Sequence, residues 1–132
     1  GTAVPRPVTV PHENVAMAMA IGYALMTDRP QAVMVHVNVG TANALCGLMN
    51  AARGDVPVLF TAGRTPTNED KLAGHRSLDI HWTQEMFDQA GMVRGAAKWD
   101  YELRNAEQVE ALVRGDDPLA AAASTTGERV EP

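Results

Sequence analysis

Hydrophobic and polar positions divide the chain into short apolar runs and longer mixed ones. Val8, Thr9 and Val10 are β-branched, which suits a strand, and Pro11 closes it because proline cannot donate to a ladder. Residues 14–26 are rich in Ala and Met, so a helix is predicted there. Residues 32–37, Ala-Val-Met-Val-His-Val, form a nearly continuous apolar run, the pattern of a strand covered on both faces. Asn38-Val39-Gly40-Thr41 interrupts it. Ala42, Leu45, Leu48, Met49 and Ala52 then recur at helical spacing, which predicts a helix over 42–53 with that stripe on the sheet. Residues 56–62 predict the next buried strand, closed by Gly63. This alternation implies an α/β fold: a parallel sheet flanked by helices.

The second half is less regular. Residues 64–79 are polar and predict an exposed loop, with Thr65-Pro66-Thr67-Asn68 as turn chemistry. A short helix is expected over 80–89 with Trp82, Met86 and Phe87 inward, and a strand over 92–99, weakened by Gly95. Asn105 should cap a helix running through Ala106, Val109, Leu112 and Val113. Beyond that the periodicity dissolves. Residues 1–113 are expected to be one α/β domain and 114–132 an atypical, loosely ordered tail with a short helical piece at 119–123. The chain opens without Met and enters a strand almost at once, which suggests a domain lacking its front end, a truncated fragment.

Composition narrows the function classes. The 132 residues suffice for one domain with a modest core. A net charge of −5 argues against non-specific nucleic-acid binding. No run of eighteen apolar residues offers a membrane span. Cys46 is the single cysteine, so no intrachain disulfide can form; a buried small apolar role and a cytoplasmic setting are expected.

The candidate chemistry gathers at the strand ends, where ligands bind in open α/β sheets. Glu13 lies between the first expected strand and its helix. Taken alone, such a carboxylate is most simply a helix cap, because it favours the helix dipole. Burial would raise its pKa and the helix start would lower it. His36, inside an apolar strand, is ordinarily a packed residue; proton relay is the functional alternative, and no second ligand lies at metal-binding spacing. Gly40 and Asn43 suit either a turn glycine and a cap amide or a cofactor's close approach. Gln84 alone would be a solvated helix residue. No Gly-x-Gly-x-x-Gly or P-loop is present, which weighs against a non-catalytic nucleotide- or flavin-binding module.

His12-Glu13 followed by Ala16, Ala20, Gly22-Tyr23-Ala24 and Thr27 resembles the pyrimidine-binding domain of thiamine-diphosphate enzymes, the group of acetolactate synthase and benzoylformate decarboxylase. His36 with Gly40-Thr41-Ala42-Asn43-Ala44 is similar to the benzoylformate decarboxylase segment, whereas Asn38-Val39-Gly40 departs from the Gly-Pro-Gly of the synthases. Asp55-Val56-Pro57-Val58-Leu59 through Gly63, Trp82-Thr83-Gln84-Glu85 and Lys98-Trp99 resemble further family elements, with Arg64 replacing a glutamine.

The resemblance implies a flavodoxin-like three-layer fold and thiamine diphosphate as cofactor. It implies that Glu13 hydrogen-bonds N1′ of the aminopyrimidine and favours the tautomer that removes the C2 proton. Gly40 and Asn43 would line the cofactor, His36 would relay protons, and His36 and Gln84 would face substrate. The reaction would be that of a 2-oxo-acid decarboxylase or acetolactate-synthase-like carboligase; FAD use is left open. Gly115-Asp116-Asp117 is not the family's Gly-Asp-Gly…Asn-Asn motif, so magnesium and diphosphate would be held by a domain of a second subunit in a homo-oligomer. The isolated chain would be inactive, as a fragment or as the small subunit of a split enzyme.

Overall fold

The computed structural model describes residues 5–114. Of the expected tail over 114–132, all but Arg114 lies outside the described residues, as does the Gly115-Asp116-Asp117 run. The chain divides into two compact units, Gly1–Glu85 and Met86–Pro132.

The first unit is built on a strand–helix–strand core. Helix α1 spans Glu13–Thr27, strand β1 Gln31–Val35, helix α2 Val37–Arg53 and strand β2 Val58–Ala62. A short helix α3 follows at Ile80–Thr83. The two strands pair in parallel, from Gln31 opposite Val58 to Val35 opposite Ala62. The sequence therefore placed both strands and both long helices, but three details differ.

First, residues 8–10 form no strand, and Val8 is exposed. β-Branched residues make a strand only where a partner offers a ladder, and none is present among the described residues. Second, α2 begins at Val37 rather than residue 42. The His36 carbonyl accepts from the Gly40 N–H at 3.0 Å and the Thr41 hydroxyl donates to the Val37 carbonyl at 2.7 Å, so the expected loop is the helix's first turn. Third, Val33 and Val35 are buried while Ala32 and Met34 are exposed, so helices cover one face of β1, not both.

The buried stripe of α2 is Val37, Gly40, Thr41, Ala44, Gly47, Leu48 and Ala51. Ala42, Met49 and Cys46, expected inside, are exposed. Close helix packing sets this face: a β-carbon at Gly47 would lie 2.3 Å from the Met17 β-carbon. Met17 is fully buried against that gap, with Ala20 and Ala24 continuing the contact line of α1 at helical spacing. A buried side chain of this size contributes roughly 1.5–3 kcal/mol. Asp28 ends α1 in the left-handed region, its N–H bonded to the Ala24 carbonyl at 2.8 Å.

In the second unit, the strand expected over 92–99 is replaced by a helical turn, α4, at Gly91–Arg94. Arg94 forks onto Asp100 at 3.1 and 3.2 Å and reaches Asp88 at 3.2 Å, which holds this segment folded back rather than extended. Both carboxylates raise the Arg94 pKa, Asp100 more. Trp99 stacks on Tyr101 with ring centroids 5.7 Å apart. The Gln108 side chain accepts from the Asn105 N–H at 3.3 Å, capping a 3₁₀ turn at Ala106–Gln108 that leads into α5, Val109–Arg114. Phe87, expected inward, is 100% exposed, and so in part is Trp82 of the first unit, at 48%.

Candidate functional site

Glu13 is the first residue of α1. His12 caps that helix, its Nδ1 accepting from the Asn14 N–H at 3.2 Å. This leaves the Glu13 side chain to reach across to α2. There Gly40 and Asn43, one turn apart, share a face. The Asn43 Nδ2 donates to Glu13 Oε2 at 3.1 Å. Gly40 is buried, and a β-carbon there would stand 3.1 Å from Glu13 Oε1 and 3.4 Å from the Val35 β-carbon. A side chain there would press on the carboxylate, which would have to shift by a few tenths of an ångström. Asn43 lies inside α2 and bonds a distant carboxylate; it is not a helix-cap amide.

The opposing pulls on Glu13 resolve in one direction. Its own backbone N–H, then the Asn43 amide, hold its pKa below the ordinary carboxylate value; partial desolvation opposes this and His12 adds slightly to it. The carboxylate is therefore ionised at neutral pH.

His36 caps α2 but makes no side-chain cap bond, and it is exposed rather than packed within a strand. The turn after it is strained: Val37, β-branched and buried, has φ 45°. The Gly63 N–H bonds the Val35 carbonyl at 3.0 Å, bringing the end of β2 to the same edge. His36 and Gln84 line one depression of about 190 Å³, together with Arg64, His81, Val37 and Ile80. The five candidates thus fall into two neighbouring groups within the first unit: Glu13, Gly40 and Asn43 in one, His36 and Gln84 in the other.

Sequence reading missed Arg64, Arg76, His81 and Glu85 as a group. Glu85 joins Arg64, Arg76 and the Thr65 hydroxyl. No periodicity links these positions; the substitution at Arg64 was the one available signal. No cluster of three or more metal-ligating side chains occurs among the described residues, and no helix there is long and apolar enough to cross a membrane.

The family described as thiamine pyrophosphate enzyme, N-terminal TPP binding domain, matches residues 2–92. The chain belongs to this family. It is 34% identical over 118 residues, 89% of its length, to a Mycobacterium tuberculosis protein provisionally described as an acetolactate synthase large subunit. It is 29% identical over 107 residues, 81% of its length, to the acetolactate synthase large subunit of Haemophilus influenzae. A shorter stretch of 53 residues, 40% of the chain, is 40% identical to benzoylformate decarboxylase of Pseudomonas aeruginosa and spans 10% of that protein. The chain spans about a fifth of the two synthase relatives, 20% and 17% of their lengths. No solved structure is a significant match.

Proposed function

We propose that this chain is the aminopyrimidine-binding part of a thiamine-dependent 2-oxo-acid decarboxylase or acetolactate-synthase-like carboligase, with Glu13 as the residue that engages the ring. The observation that carries this is the Glu13–Asn43 bond of 3.1 Å beside the bare Cα of Gly40. An ionised carboxylate, fixed on one oxygen and uncrowded near the other, suits a flat heteroaromatic ring bearing a protonated nitrogen. The residues present therefore fit the group. Thiamine diphosphate, when bound, supplies an acidic C2–H and a carbon that adds to the carbonyl of a 2-oxo acid.

The chain's own residues divide the work. Glu13 holds a proton on the ring nitrogen it faces, because a carboxylate favours the protonated partner. Asn43 orients Glu13, and Gly40 keeps the approach open. His36, exposed at the start of α2, takes or gives a proton at the substrate oxygen. Gln84 orients substrate from the other side of the depression. On this reading residues 1–113 are the thiamine-binding domain. Magnesium and diphosphate belong to a domain of a second subunit in a homo-oligomer, and the isolated chain does not turn over substrate.

Binding is the test. Thiamine diphosphate with magnesium, titrated into the purified chain, should shift the Gly40 amide and Asn43 side-chain resonances, and Glu13→Gln should weaken that response. Tight binding of a nucleotide or flavin in place of thiamine diphosphate would overturn the reading.

A further inference from the structure

Among the described residues, Val37 is the one buried, β-branched residue in the left-handed region, with φ 45° and 4% exposure. Asp28, Asp55, Asp70 and Lys71 share that region, but all are exposed and unbranched at Cβ. The left-handed conformation crowds Cβ against the following carbonyl, and branching worsens the clash. What this strained residue does is turn β1 directly into α2. His36 is still extended, at φ −102° and ψ 121°, and helical bonding starts at once, from the Gly40 N–H to the His36 carbonyl at 3.0 Å. The Thr41 hydroxyl on the Val37 carbonyl, at 2.7 Å, and the Asn38 Oδ1 accepting from the Val39 N–H, at 2.8 Å, hold the turn closed. An extended alternative lies close by. Exposed and buried residues alternate from Ala32 to Val37, with Val33, Val35 and Val37 inside, so Val37 already sits where the next strand residue would. The Gly63 N–H bonds the Val35 carbonyl at 3.0 Å, and a β-carbon on Gly63 would lie 3.7 Å from the Val37 nitrogen, so the chain leaving β2 runs alongside. Val37 and Val39 favour a strand by type. Helical turn and strand therefore compete for the same residues.

We propose that the first turn of α2, residues 37–40, is a strained latch that opens by extending β1. In the closed form Gly40 stands against Glu13, where a β-carbon would be 3.1 Å from Oε1. Opening draws Gly40 back and clears space beside that oxygen, while Asn43, further along α2, stays in the helix. Val37 is then a positioning residue: its strain keeps the two forms close in free energy, and it acts on Glu13 through Gly40. The proposal rests on the thiamine-enzyme reading only for what enters the cleared space. The latch itself stands on the backbone.

The test uses the whole chain without thiamine. Relaxation dispersion should find microsecond-to-millisecond exchange at residues 37–40, with strand-like carbon shifts at Val37 and Asn38 in the minor form. Flat dispersion there would overturn the latch, and so would a minor form with random-coil shifts, which is ordinary fraying. Amide hydrogen exchange in two variants reads the strain. Val37→Ala and Val37→Gly both lose the buried branches, but only glycine is at ease at φ 45°. Protection of the Gly40 amide, relative to Ala44 in the same helix, should be at least about fivefold higher in Val37→Gly than in Val37→Ala. An unstrained turn gives the reverse, since glycine loosens a helix. Equal or lower protection in Val37→Gly would overturn the proposal. Where either variant fails to fold, the dispersion measurement on the unaltered chain decides. With thiamine absent throughout, failure here leaves the Glu13 assignment standing.

Discussion

Glu13 carries two burdens that pull alike. Its backbone N–H and Asn43 favour the ionised carboxyl, and the ring-binding role asks for an ionised carboxyl. A folded pKa below the unfolded value has one sign: the stabilisation is present above the ordinary carboxylate pKa and is lost as pH falls through the lowered folded value. Asn43→Ala should therefore move the Glu13 titration up toward the ordinary carboxylate value, as read from its side-chain resonances against pH. A titration unchanged in Asn43→Ala would remove Asn43 from the account. Sequence reading singled out Asn43 but not its bond to Glu13: the partner is thirty positions away, and no local pattern announces it.

At the scale of elements, the contact between α1 and α2 fixes the distance over which Glu13 must reach. Gly47 sets that contact. Alanine is the better helix former by about 1 kcal/mol, so Gly47→Ala would stabilise an isolated helix. Here the added β-carbon would meet the Met17 β-carbon at 2.3 Å, backbone-proximal atoms that cannot swing aside. Overpacking of this kind costs roughly 1–3 kcal/mol, so Gly47→Ala should lower the urea midpoint. In a Met17→Gly background, which removes that β-carbon, the same change should be neutral or stabilising. Destabilisation by Gly47→Ala that persists undiminished in that background would contradict the packing described.

Apolar runs made β1, β2, α1 and α2 legible in the sequence, because buried strands and long helices leave strong local signals. The start of α2 was not legible. Val37 and Val39 look like strand, and only the fold, through the strained Val37 turn, converts them to helix. The strand expected at 8–10 was a propensity without a partner. The strand expected over 92–99 yielded to Arg94 and its two aspartates, a side-chain network that propensity does not encode. The Glu13 carboxylate and the glycine beside it were legible because their chemistry is written in residue type; the arginine–glutamate group was not, because charged residues in a polar loop look solvated.

At the scale of the whole molecule, the outward face of the sheet is apolar and uncovered among the described residues. Met34 is 85% exposed and Leu59 63%. Contiguous exposed apolar surface and open strand edges promote association. The purified chain should gain apparent mass with concentration in sedimentation velocity, and Met34→Lys with Leu59→Lys should suppress that gain. A chain that stays monomeric throughout would show the face to be innocuous. The central claim, that Glu13 engages the aminopyrimidine, is tested most directly in an assembled enzyme made by grafting this segment into a full-length relative. The measurement is hydrogen–deuterium exchange at C2 of bound thiamine diphosphate, with Glu13 and with Glu13→Gln. Glutamine keeps the shape and a hydrogen bond but cannot share the proton. Exchange should slow by roughly two to four orders of magnitude, the scale of a lost acid–base group; an unchanged rate would return Glu13 to the role of a helix-start carboxylate.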